Sequence, residues 1–363
     1  MQAGNFFWER SLKALQISIE KTAGSLLHDI SSVHLAEAGI SAYNQRYIGQ
    51  YIADVTTSVQ TFSFLLSKAL SGRDSVPDPF VFVDFGGGSG IVSFLAKALG
   101  IEKVIYVDIY DVSCRDAAFL GERLGLKPDV ILCGGMHELM QYLDHSQTRV
   151  NAFCSFDAIE HIYDIREFFR HVGQVPGNDL RMLLTSGANI RNPRIRRRLM
   201  KAQKAAEYKD RATEWGQKER DTVRSFLDIR REMICSAAPE LSGKETERLA
   251  RLTRGLNRDD IEACVREYIE KGDIVYRPAH PTNTCDPYTG NWSERLMDQS
   301  MLKRWLREEG FQVKVQSGYY GESGRGWMLA AKTLANRLIS LSGSWGIFLA
   351  PFYILEARKE TAG

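Results

Sequence analysis

The run Val81-Phe-Val-Asp-Phe-Gly-Gly-Gly-Ser-Gly90 constrains this chain more than any other. An apolar segment carrying an acid gives way to a glycine-rich turn, and a helix can open at Ile91. Glycine tolerates positive φ and lets a ligand approach the backbone closely, while the first turn of the next helix offers unpaired N–H donors. The same rhythm then repeats. Strand-like runs at 80–85, 104–107, 130–132, 152–156 and 180–185 enclose helix candidates near 91–99, 113–124, 136–143 and 164–172. Buried runs separated by amphipathic helices predict an α/β, doubly wound, mostly parallel sheet. In such sheets ligands bind at the carboxyl ends of the strands.

The flanking regions read differently. Ile48, Ile52, Val55, Val59, Phe62, Leu66 and Leu70 recur at helical spacing and predict a helix packed on the domain that follows. Residues 71–79 are polar and turn-rich, which suits a linker. Asn192-Pro193 is a helix start, and a charged helical stretch runs from it toward Pro239, interrupted at Gly216. Ser242-Gly-Lys-Glu245 forms a capping box, and Asn257 caps a further helix that ends near Gly272. A helix at 300–309, a strand at 311–316 and a last strand at 352–358 follow. Between these two strands, Trp327, Ala331, Leu334, Leu338 and Leu341 trace another helical stripe. The expected organisation is an N-terminal helical region (1–75), a core from 76–190 and 295–363, and a helical insertion with a substrate-side loop over 191–294.

Composition sets outer limits. Hydrophobic residues are 44% of the 363 and charged residues 25%, ordinary for a globular chain. Lys plus Arg (47) nearly balance Asp plus Glu (45), so no nucleic-acid partner is expected. Six widely spaced cysteines without a C-x-x-C pair read as reduced thiols. With no basic-then-apolar leader and no long apolar window, a cytoplasmic location is expected.

Two cofactor classes fit a glycine turn at this place. Dinucleotide sites favour G-x-G-x-x-G, but here Gly86-x-Gly88-x-Gly90 puts an apolar residue where the third glycine belongs. Asp84 would oppose a pyrophosphate and suits a ligand bearing an ammonium group, which favours S-adenosyl-L-methionine over a nicotinamide dinucleotide. The second strand ends in Val104-Ile-Tyr-Val-Asp108, and a carboxylate there can accept hydrogen bonds from both ribose hydroxyls of either cofactor. The fourth strand leads into Ser155-Phe-Asp-Ala-Ile-Glu-His161.

Together, the glycine loop, Asp108 and the Asp-Ala-Ile-Glu-His segment resemble class I S-adenosylmethionine-dependent methyltransferases, nearest to the ubiquinone/menaquinone-biosynthesis type. The similarity spans about 80–190 and resumes at about 295–359, where Leu349-Ala-Pro-Phe-Tyr-Ile-Leu-Glu-Ala-Arg-Lys359 is similar to that family's antiparallel last strand. The resemblance implies a seven-stranded Rossmann-like sheet. It also implies that Asp84, Gly86, Gly87, Gly88 and Gly90 surround the methionine moiety, that Asp108 holds the ribose with Ile109 and Tyr110 beside the adenosine, and that Phe156 and Asp157 line the methionyl end. The family often places an acid after strand three to meet the adenine amino group; this chain has Cys133-Gly-Gly-Met136, and Met136 and His137 take that position.

Transfer from a sulfonium needs mainly alignment, with a base where the acceptor is a hydroxyl. His161 is the candidate base, although a histidine there can equally cap or fix a loop. No Asn-Pro-Pro-Tyr follows strand four, which argues against methylation of an adenine or amide nitrogen. The expected activity is methyl transfer, at oxygen, to a small or medium-sized acceptor. Thr185, Ser186 and Asn189 are candidate acceptor contacts, as are His280, Trp292 and Glu294 in the long turn-rich loop 277–294. His280 and Cys285 are too few to make a metal site, and no metal is expected. The basic run Arg191, Arg194, Arg196, Arg197, Arg198, Lys201 and Lys204 is read as a solvated face balanced by later acids, with an anionic partner as the alternative. The apolar segment 344–350 and its preceding helix are expected in the core; the alternative puts them on a membrane surface, with a lipid or quinone acceptor. A protein that binds the cofactor without catalysis is a further alternative.

Overall fold

The structure, a computed structural model, describes residues 13–71, 73, 79–177, 179–212, 218 and 221–359. Most of the 71–79 linker and Gly216 lie outside the described residues. The chain divides into two compact units: 1–159 with 166–187 and 299–363, and 160–165 with 188–298.

The first unit contains a single seven-stranded sheet. Its strands are β1 (Val81–Phe85), β2 (Lys103–Asp108), β3 (Val130–Cys133), β4 (Ala152–Ser155), β5 (Arg181–Ser186), β6 (Phe311–Ser317) and β7 (Tyr353–Lys359), in the order β3-β2-β1-β4-β5-β7-β6. β1 to β5 run parallel, and β7 is antiparallel to both β5 and β6. The chain reverses direction across the sheet at β1 and β4, and that boundary is where open α/β sheets bind ligands. This is the doubly wound, mostly parallel fold the alternation predicts, with each strand within about two residues of its expected span.

Helices cover the sheet: α4 (Ile91–Ala98), α5 (Asp111–Leu124), α6 (Met136–Ser146), α7 (Ile165–Gln174) and α12 (Gln299–Glu308). The N-terminal helices α1 (Lys13–Ser31), α2 (Ala42–Ala53) and α3 (Val55–Ala69) share one core with the sheet, in which Ile19, Leu27, Ile30, Ile48 and Leu66 meet Phe82, Phe94 and Leu95. The apolar stripe that reads as one helix is two. Asp54 ends α2 and caps α3, accepting from Thr57 N at 3.1 Å and from Ser323 Oγ at 2.6 Å, and Val55 is turned to solvent. A short acid that can hydrogen-bond its own backbone breaks the run although the apolar spacing continues.

In the second unit, α8 (Pro193–Tyr208) begins at Asn192, whose side chain accepts from Arg194 N and Ile195 N, with Pro193 in the first turn. α9 (Phe226–Ala237) is a separate helix, so the charged stretch toward Pro239 is not continuous. α10 (Gly243–Leu252) carries the Ser242–Glu245 capping box, and α11 (Arg258–Lys271) starts at Asn257 and stops at Gly272 in left-handed geometry. Ile229, Ile234, Leu249, Ile261 and Val265 form this unit's own core.

The C-terminal stripe departs from expectation. α13 (Gly326–Leu341) and the 3₁₀ segment Gly343–Phe348 bury only Asn336, Ile339, Gly346 and Ile347, while Trp327, Leu334, Leu338, Leu341 and Trp345 face solvent. Packing of this segment into the core is therefore ruled out for most of its large side chains. Their spacing is right for one helical face, but that face points outward. Among the described residues, no helix is long and apolar enough to cross a membrane.

Candidate functional site

The glycine turn sits at the carboxyl end of β1, and its backbone is pinned from β2. Gly86 N and Gly87 N both bond Val107 O (2.8 and 3.2 Å), and Tyr106 Oη donates to Gly88 O at 2.7 Å. Side chains fill the space where Cβ atoms of Gly86 and Gly87 would lie: Ala158 Cβ at 2.7 Å and the Tyr106 ring at 2.5 Å. Gly90, at φ 82°, caps α4, and a Cβ there would meet Phe94 Cζ at 2.7 Å. Tight packing therefore accounts for those three positions. Gly88 is different. It has φ 51° and nothing within 4 Å of its Cβ position, so the turn opens at its middle.

Two acids flank that opening. Asp84 is buried and accepts from Ser93 Oγ at 2.7 Å; burial, then the nearby charge of Asp108, raises its carboxyl to about 7 against the Ser93 bonds that lower it. Asp108 ends β2, and its two oxygens accept from Gly88 N (2.9 Å) and Tyr110 N (2.8 Å). It thus ties the glycine turn to the second strand. Ile109 beside it is half exposed. After β3, Met136 is buried and His137 lies on the surface, bonded to Gln141 (2.8 Å). The nearest acid there, Glu138, is used locally: it accepts from Gly135 N at 2.6 Å, and that backbone bond holds its carboxyl below the usual range.

After β4, Phe156 packs on the first unit's core and Asp157 stands in left-handed geometry (φ 46°). The Asp157 amide bonds both Thr185 Oγ1 and Thr185 O at 3.2 Å, so the buried Thr185 shapes this turn. Ser186 is fully buried at the end of β5. The residues that sequence reasoning missed are tyrosines. Tyr43, Tyr47 and Tyr51 recur every four residues along α2; Tyr43 packs edge-on to Tyr110 at 5.3 Å, and the Tyr51 phenol is pushed up by burial and by the charges of Asp157 and Asp84. The start of α2 is moored to α5 by buried Asp116, which accepts from Ser41 N (2.9 Å) and Asn44 Nδ2 (2.8 Å). Their four-residue spacing was the available signal, hidden inside a stripe read for its aliphatic residues.

The second unit holds the other candidates. His161 ends the 3₁₀ turn Ile159–His161, and its Nδ1 lies 2.8 Å from Trp292 O. A carbonyl only accepts, so Nδ1 carries the proton and Nε2 keeps a lone pair in the neutral ring. Glu294 Oε1 is 3.8 Å from that Nε2, and Glu294 adopts φ 52°, strained for this residue type. Trp292 is buried, donates through Nε1 to Tyr163 O at 3.0 Å, and stacks under the Arg295 guanidinium at 4.3 Å. His280 Nδ1 accepts from Thr282 N and Asn283 N, both at 3.2 Å, and burial lowers its pKa. Both side chains brace the 277–294 loop. Asn189 is fully buried and caps its own turn, accepting from Arg191 N at 3.1 Å.

Cys285 is fully buried, and among the described residues no group of three or more His, Cys, Asp or Glu could hold a metal. Of the acids that follow the basic run, Glu207 is buried against Arg230 at 2.5 Å, whereas Asp298 lies 3.7 Å from Arg191. Arg194, Arg197, Arg198 and Lys201 line an open surface depression of about 480 Å³.

No family model matches the chain, and no curated protein matches it. Solved structures do match. A protein described as a sarcosine dimethylglycine methyltransferase from Galdieria sulphuraria is 12% identical, covering 84% of this chain and 87% of its own, with a TM-score of 0.40. An S-adenosylmethionine-dependent methyltransferase from Clostridium acetobutylicum is 9% identical over 88% and 99%, with a TM-score of 0.42. The plantazolicin methyltransferase BamL, solved with a triazolic desmethylPZN analog and SAH, is 9% identical over 96% and 99%, with a TM-score of 0.40. The class of fold is read from the chain's own strand order: a Rossmann-like, doubly wound sheet with β7 antiparallel.

Proposed function

We propose that this protein is an S-adenosyl-L-methionine-dependent methyltransferase that methylates a hydroxyl of a small or medium-sized acceptor. The observation that carries the reading is the pair Asp84 and Asp108 on either side of the open Gly88 turn. A buried carboxyl raised to about 7 ionises readily beside a cation, and Asp108 stands at the end of β2 against the glycine turn, where a carboxylate accepts from ribose hydroxyls. These features fit the cofactor's ammonium and ribose groups. Within the class, the motif resemblance favours the ubiquinone/menaquinone-biosynthesis type.

When bound, the cofactor supplies a methyl group already activated by its sulfonium. The chain's own residues then align and deprotonate. Asp84 would hold the ammonium group and Asp108 the ribose, and Thr185 sets the Asp157 turn, which would lie at the methionyl end. His161, in the second unit, is the candidate base by its place in the Asp-Ala-Ile-Glu-His segment: its Nε2 would take a proton, with Nδ1 held by the Trp292 carbonyl and Glu294 Oε1 3.8 Å from Nε2. Calorimetry with the cofactor, followed by a metabolite-extract screen with methyl-labelled cofactor, tests the reading. Binding with a labelled product upholds it, binding without any product leaves a non-catalytic cofactor-binding protein, and no binding removes it. In the first case His161→Ala keeps cofactor affinity and loses turnover; unchanged turnover removes His161 as the base.

A further inference from the structure

Amphipathic helices normally turn their apolar stripe inward, and α13 does the reverse. Its inner face is anchored by polar contacts beside the buried Ile339. Asn336 is buried and pairs with the Tyr320 backbone in both directions, Oδ1 accepting from Tyr320 N and Nδ2 donating to Tyr320 O, each at 2.8 Å. Lys332 Nζ donates to Ser323 O at 2.9 Å. The outward stripe is apolar and continues into the 3₁₀ segment: Trp327 is 79% exposed, Leu341 81% and Trp345 72%, with Leu334 and Leu338 between them. At helical spacing these residues lie on one line, roughly 20 Å long from Trp327 to Leu341. A contiguous exposed face of this kind marks an interaction surface.

Charge selects the occupant. From Ser323 through Leu355 the sequence holds no Asp or Glu, whereas Arg325, Lys332 and Arg337 are cationic, and Arg325 and Arg337 are exposed. The stripe is closed by a tryptophan at each end, the residue that prefers the boundary between hydrocarbon and headgroups. A partner that is apolar in depth, anionic at its surface and bordered by an interface suited to tryptophan is an anionic lipid bilayer. A second copy of the chain would bring the same arginines to a two-fold contact. We infer that the outward face of α13 and the 3₁₀ segment lies on anionic phospholipid membranes, with the helix in the interfacial plane rather than across it. The inference does not depend on the methyltransferase reading, because neither cofactor nor catalysis enters it.

The test is flotation of the full-length protein with phosphatidylcholine vesicles, with and without phosphatidylserine, at low and high salt and without cofactor. The expected result is binding to the phosphatidylserine vesicles that weakens with salt. The variant Trp327→Ser/Leu338→Ser/Trp345→Ser should bind about tenfold or more weakly while melting at the parent's temperature. Should that variant lose its fold, Arg325→Gln/Arg337→Gln serves instead, weakening binding to phosphatidylserine vesicles and leaving the melt unchanged. Failure of the parent to float at low salt overturns the inference. So does undiminished binding by the folded serine variant, which would move the contact to the basic face of α8. Sedimentation velocity showing a dimer that the serine substitutions dissolve would overturn it in favour of a second copy.

Discussion

Asp84 gives the site its sharpest pH signature. Its folded pKa, about 7, lies above the usual aspartate value near 3.8 because burial penalises the charged form. Between those pH values the folded chain keeps a proton that the unfolded chain releases, so Asp84's contribution to stability falls as pH rises from about 4 to about 7 and is constant outside that window. A cation beside the carboxylate acts the other way, favouring the ionised form. Affinity for S-adenosylmethionine should therefore rise with pH up to about 7 and then level off, by as much as tenfold per pH unit on the acidic side. Asp84→Asn should bind more weakly and lose this slope. Calorimetric titrations at several pH values between 5.5 and 7.5 measure it, and a parent protein with a flat profile would detach Asp84 from the ligand.

At the scale of elements, the turn between β1 and α4 separates packing from ligand approach. Gly90 combines φ 82° with a Cβ position 2.7 Å from Phe94, whereas Gly88 has positive φ and open space. Gly90→Ala should cost about 2 kcal/mol or more of stability, adding a steric clash to the backbone penalty. Gly88→Ala should cost about 1 kcal/mol, yet weaken cofactor affinity the more strongly of the two. Thermal melts paired with binding titrations separate the effects; equal affinity losses would mean that Gly88 merely shapes the turn.

What could be read beforehand at this scale follows from locality. The ends of β1 and β2 beside Asp84 and Asp108, the caps at Asn192, Ser242 and Asn257, and the glycine turn depend on neighbours within a few residues, and the sequence displays those directly. The direction a stripe faces does not. Leu334, Leu338 and Leu341 have one spacing whether they face a core or solvent, and the anchorage of the opposite face by Asn336, Lys332 and the buried Ile339 decides. Likewise, Trp292 and His280 are conspicuous in sequence as loop residues, but their roles as braces rest on partners over a hundred residues away, such as Tyr163, or on the folded path of the loop itself.

For the whole molecule, the two units carry separate cores, and the second is built around a buried polar node. In the second unit Arg230 is fully buried, donating through Nη2 to Glu207 Oε1 at 2.5 Å and through Nε to Ala250 O at 2.9 Å, while Thr284 Oγ1 donates to Glu207 Oε2 at 2.8 Å. Glu207→Gln keeps the shape but leaves the guanidinium charge without its counter-ion, which costs about 3–5 kcal/mol when a buried pair is broken. If the units unfold as separate cooperative bodies, that loss falls on one of them. Scanning calorimetry should then show one transition lowered by roughly 10 °C or more in Glu207→Gln, with the other in place. Gly90→Ala should lower the opposite transition, because Gly90 packs against Phe94 in the first unit's core. A single transition displaced alike by both substitutions would mean that the two cores melt as one.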